Sequence, residues 1–150
     1  MKLFKKVSAM VVSLLMGLAM VVPVAAANPT ITVKNIATDE NVTLSYLKVV
    51  KQDKTTKTGW AFVSDEVTKI FKEEYKKNDA QAILASLANS AAHSKALARL
   101  GNLNGFTEFT DNAGRKTEVD GAGLYVVKVV DNSNKYTYNV MAAPINFDYA

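Results

Sequence analysis

Gly123-Leu124-Tyr125-Val126-Val127-Lys128-Val129-Val130 is the most strand-like stretch of the chain, and its two faces decide the fold. Successive side chains of a strand point to opposite sides. Tyr125, Val127 and Val129 therefore share one face, and Leu124, Val126 and Val130 share the other with Lys128. A strand with one wet side alternates apolar and polar; this one is apolar on both and needs cover on both. The expectation is a central strand with a second sheet on one side and helices on the other.

Period-two patterning extends on either side of this stretch. Asp131-Asn132-Ser133-Asn134 reads as a hairpin loop, and Tyr136, Tyr138, Val140 and Ala142 alternate on a return strand that Pro144 interrupts. One more strand is expected from Ile145 to Tyr149. Upstream, Gly114 marks a turn between Thr107-Glu108-Phe109 and Lys116-Thr117-Glu118-Val119. Nearer the start, Ile31 and Val33 alternate with Thr30, Thr32 and Lys34, Asp39-Glu40-Asn41 reads as a turn, and Val42 to Val50 is rich in β-branched and aromatic residues. Trp60 to Val63 predicts a short strand after a polar loop over 52–59.

Between these strands the spacing changes to that of helices. Ser64 is placed to cap, with Asp65 and Glu66 at the positive end of the dipole. Val67, Ile70, Phe71 and Tyr75 follow on one face. A second helix starts at Asn78 or Asp79 with Ile83, Leu84, Leu87, Ala88 and Ala91 inward. That stripe misses Leu97 and Leu100, so a break falls near Asn89-Ser90 and a third helix ends at Gly101. The fold class expected is mainly β (α+β): an immunoglobulin-like β-sandwich with a helical insertion at about 64–100.

The first 27 residues have a different character. Lys2, Lys5 and Lys6 form a basic start, Val7 to Val22 is an apolar run, Pro23 breaks it, and Val24-Ala25-Ala26-Ala27 is small. These zones describe a secretory signal peptide over 1–27. The apolar run of 16 residues is short for a bilayer core, which needs about 20. Cleavage is expected between Ala27 and Asn28, with a site one residue earlier also satisfying the small-residue rule. Residues 28–150 then form a single domain, and membrane contact is expected only through the uncleaved signal peptide.

Composition narrows the function. The net charge of +4 falls to +1 once the three leader lysines go, with 15 basic and 14 acidic residues left. That balance offers no electrostatic footprint for nucleic acid. The chain has no cysteine and one histidine. Disulfides, thiol nucleophiles and most zinc sites are thereby excluded, and a cysteine-free exported domain of this size fits a Gram-positive surface.

Candidate reactive residues are few. His93 has no acidic residue within ten positions on either side, so it is expected to cap or lie on the surface. The pairs Asp39-Glu40, Asp65-Glu66 and Glu73-Glu74 are adjacent in sequence, where carboxylates diverge; a turn, a helix start and a solvated face account for them. Asp111-Asn112-Ala113-Gly114 has half of a calcium loop and reads as a turn. A lysine–asparagine crosslink, with Lys34 or Lys48 as donor and Asn139 or Asn146 as acceptor, would require deep burial of the pair. No nucleophile, base and orienter occur together, so no catalytic residue, cofactor or metal site is expected and the reading is non-enzymatic.

Asp120-Gly121-Ala122-Gly123-Leu124-Tyr125-Val126-Val127 resembles the Leu-Pro-Ala-Gly-Tyr-Tyr-Val-Val stretch of N-terminal domains in Gram-positive sortase-assembled pilins. Tyr138-Asn139-Val140-Met141 is similar to their Tyr-Asn-Pro-Met step, and Ser45-Tyr46-Leu47-Lys48-Val49-Val50 to an early strand of theirs. The resemblance implies a fimbrial or adhesive subunit whose partners are neighbouring pilin subunits or surface proteins. Neither a Tyr-Pro-Lys motif nor a Leu-Pro-x-Thr-Gly signal occurs in these residues, so contact with a sortase would run through residues absent from this chain. A small secreted binding protein for a host protein or glycan is the alternative expectation.

Overall fold

The computed structural model describes residues 5–7, 10–14, 28–87 and 93–147, the first two segments by their backbone alone. Its strands are β1 (Lys5–Val7), β2 (Met10–Leu14), β3 (Thr30–Lys34), β4 (Val42–Gln52), β5 (Trp60–Phe62), β6 (Thr107–Glu108), β7 (Lys116–Glu118), β8 (Gly123–Asp131), β9 (Tyr136–Tyr138) and β10 (Met141–Ile145). Three helices, α1 (Asp65–Tyr75), α2 (Ala80–Leu87) and α3 (Ser94–Leu100), lie between β5 and β6. The architecture is α+β and mainly sheet.

The largest sheet runs β10-β8-β4-β5, with β6 pairing β4 beyond the reach of β5. All of its pairs are antiparallel. A second antiparallel sheet has the order β2-β3-β7, and β1 pairs β9 in parallel. β8 is interior to its sheet, and its side chains separate two cores. Leu124 and Val126 pack with Val49, Val50, Trp60, Phe62 and the inward faces of the helices. Tyr125, Val127 and Val129 pack with Ile31 and Val33 of β3, Val42 and Leu44 of β4, and Phe109, Val119, Tyr138 and Ile145. The two-faced strand is thus covered on both sides, as its alternation requires. Its two outer residues behave differently: Val130 is exposed, and Lys128 reaches over the Phe106 ring to the Gly101 carbonyl at 3.1 Å.

The helices start and stop where local chemistry directs. Ser64 accepts from the Val67 amide at 3.2 Å, and Asp65 and Glu66 occupy the first turn. The Asp79 carboxylate accepts from the Gln81 and Ala82 amides ahead of α2. The expected break near Asn89-Ser90, and the inward Ala88 and Ala91, lie outside the described residues.

β4 departs from strict alternation. Its register against β8 shifts between Lys48 and Val50, so Val49 and Val50 both enter the helix-side core. Gly123 makes this possible, because a Cβ there would stand 2.3 Å from the Val50 carbonyl oxygen.

Three sequence expectations change. Thr107-Glu108 and Lys116–Glu118 flank a tight turn but join different sheets, β6 on β4 and β7 on β3. The chain crosses between the sheets through the Asp111–Lys116 bridge. The return strand after the 131–135 loop splits into β9 and β10, and Val140 at the break packs against Gly101 in the helix-side core. Pro144 does not interrupt β10. It sits opposite Leu124 on an edge strand, where its missing N–H faces away from the sheet. β10 ends at Ile145, and Tyr149 lies outside the described residues.

Candidate functional site

The head of β8 concentrates most of the unusual polar chemistry. Gly121 has a positive φ of 73°, which turns the chain into the strand. The Tyr125 hydroxyl then donates back to the carbonyls of Asp120 and Gly121, each at 2.8 Å. The ring is buried and meets Tyr46 edge-on at 6.0 Å. Burial pushes the phenol far up from its ordinary value, and the Asp120 charge adds to this, so Tyr125 remains a donor. Lys48 lies over the same ring, 5.3 Å from its centroid, and its Nζ donates to the Asp120 carbonyl. The cluster fixes a corner; it assembles no nucleophile and base.

His93 is exposed and caps α3. Its Nδ1 accepts from the Lys95 amide at 3.3 Å, while its own amide donates to the Tyr75 hydroxyl at 3.1 Å. That matches the capping role expected of it. Glu73 and Glu74 differ from expectation. Rather than pointing apart into solvent, both take the Arg99 guanidinium, at 2.8 and 2.9 Å. Arg99 rises from α3 between them, and the bonds lower the Glu73 carboxyl below its ordinary value and raise Arg99. Beside this ion pair Glu66, Lys69, Ile70, Asn102 and Leu103 line an open groove of about 350 Å³. Asp111 accepts from the Gly114 amide at 2.8 Å, as a turn requires. Among the described residues, no three of His, Cys, Asp and Glu gather as metal ligands, and no helix is long and apolar enough to cross a membrane.

The crosslink candidates lack the deep burial expected of them. Lys34, Asn139 and Asn146 are exposed, and Lys48 is half-buried on the Asp120 carbonyl. The burial needed to deprotonate the lysine is missing. Of the cleavage residues, Ala27 lies outside the described residues, and Asn28 is exposed just ahead of β3.

Three residues carry structure that sequence reading missed. Arg115 is buried at a positive φ of 57° and donates to the carbonyls of Asn112, Ala37 and Glu40, tying the 35–41 loop to the 111–116 turn. The Asn112 side chain accepts from Leu44 N–H and donates to the Val42 carbonyl, each at 2.8 Å, so it continues the β4 edge in place of a strand. The Asp131 carboxylate accepts from the Ser133 amide and hydroxyl and from the Lys135 and Tyr136 amides. The Ser133 hydroxyl leads in lowering its pKa to about 2. Only Asp131 had a visible signal, its place at the head of Asp-Asn-Ser-Asn.

The chain matches no family model, no curated protein and no solved structure.

Proposed function

We propose that this chain is an exported, non-enzymatic structural or adhesive subunit of a bacterial surface fimbria, folded as an immunoglobulin-like sandwich with a helical insertion at about 64–100. The observation that carries the proposal is the Tyr125 corner. In immunoglobulin-like sandwiches a tyrosine near the start of a strand bonds back to the backbone a few residues upstream. Here that geometry falls between β7 on one sheet and β8 on the other. It also falls inside Asp120–Val127, the stretch that resembles the pilin motif. The core on each face of β8 supports the same reading.

In this role the chain works by shape. The leader carries it to the membrane and is removed at Ala27–Asn28, and the near-neutral domain meets neighbouring subunits through sheet edges and side chains.

The test is surface labelling of the producing cell with an antibody against residues 28–147, combined with fractionation. The expected result is label on the outside, with part of the chain in high-mass assemblies. Label confined to the cytosol would overturn the proposal.

A further inference from the structure

The sheet edges are not equally defended. Open edges invite pairing with other chains, and natural proteins blunt them with proline, short strands or charge. β10 carries Pro144 on its outer side, β5 has three residues, and β7 has three with Lys116 and Glu118 exposed. β3 has none of these within Thr30-Ile31-Thr32-Val33, and its one charge, Lys34, stands at the end. Its inward residues Ile31 and Val33 are buried, so the sheet-side core extends to this edge.

That edge is occupied here by the leader. β2 pairs with β3 antiparallel, Met10 opposite Lys34, Val12 opposite Thr32 and Leu14 opposite Thr30. The polar groups that hold it can be assigned. The Val33 amide donates to the Arg115 carbonyl, just ahead of β7 and on that side of β3, at 2.8 Å. Residues of an antiparallel strand alternate sides, so the N–H and C=O of Thr30, Thr32 and Lys34 face β2. Cleavage at Ala27–Asn28 would remove β2 and leave those groups unpaired.

We propose that the edge of β3, vacated by the leader on export, pairs with β3 of a second copy of this chain. The inference rests on the export reading above. Thr30–Lys34 is complementary to itself when two copies run antiparallel about a two-fold axis at Thr32. Thr32 then exchanges backbone bonds with its own copy, Thr30 does so with Lys34, and Ile31 stands opposite Val33. No like charges face one another, and the mature chain's net charge of +1 offers little long-range repulsion. The interface continues one sheet through both molecules, with main-chain bonds supplying the affinity.

The test takes the exported protein from outside the cell, measures its intact mass, and determines its oligomeric state by sedimentation. The expected result is a chain beginning at Asn28 that sediments as a dimer. Thr32→Lys places two cations beside each other on the two-fold axis without touching a backbone bond, and should give a folded monomer. Mixing Thr32→Lys with Thr32→Glu should restore a dimer, whereas Thr32→Glu alone should not dimerise. A chain lacking the leader that remains monomeric would overturn the pairing and leave export standing. A dimer unaffected by Thr32→Lys would place the interface elsewhere. An extracellular chain that retains residues 1–27 would overturn the cleavage and the pairing together.

Discussion

The two cores on either side of β8 are built from different kinds of contact. The helix side draws mainly on residues between Trp60 and Leu100, which fold from their own caps and stripes against Val49, Val50, Leu124, Val126 and Phe147. The sheet side is assembled from five separated segments: β3, β4, the 109–119 turn, β8 and the 138–145 return. The first is legible from local spacing, and the helices that supply most of it pair with no strand of the second. The second exists only when distant strands are in register. A shared strand between a local core and a non-local one predicts unequal stability on its two faces.

Phe71→Ala tests the local side and should have the largest effect. The ring is fully buried and stacks on Phe62 at 4.7 Å, so its loss should cost about 3–5 kcal/mol in chemical denaturation. Amide exchange should quicken first in α1–α3 while β8 keeps its protection. Leu44→Ala, at a fully buried sheet-side position, should cost about 2–5 kcal/mol and raise exchange across both cores together. Equal behaviour of the two variants would remove the distinction.

The Asp131 carboxylate sharpens the comparison on the sheet side. Its pKa is lowered to about 2 from an ordinary 3.8. The stabilisation it provides is therefore complete above the unfolded value and is lost as pH falls through the folded one. Asp131→Ala should lower Tm at neutral pH and flatten the acid limb of the stability curve, whereas wild-type protein should lose Tm steeply between pH 4 and 2. Tyr125→Phe removes a hydroxyl bonded to two carbonyls and should cost about 1 kcal/mol. Arg99→Gln, which removes exposed ion pairs between α1 and α3, should leave Tm nearly unchanged and lose its small effect in high salt.

The legibility of the sequence follows the same division. Ser64, Asp79 and Gly101 bound helices through contacts within a few residues, and the alternation of Leu124 to Val129 states its own need for two covers. The 107–119 segment shows what local spacing misses. Its turn was visible, yet nothing nearby says that its two arms pair with β4 and β3, more than sixty residues away in sequence. The bulge at Lys48–Val50 depends on Gly123 across the sheet, and Arg115 on carbonyls in the 35–41 loop. Tyr125 stands between these cases: its glycine-led motif was legible, but its bond to Asp120 and Gly121 was not.

The central claim is that the folded chain leaves its cell without its first 27 residues and acts by shape. Intact-mass analysis with N-terminal sequencing of the chain recovered outside the cell tests it most directly. The account predicts an N terminus at Asn28 and a mass lower by residues 1–27, with no loss of ammonia. A chain found only inside the cell, with the apolar segment still attached, would contradict it.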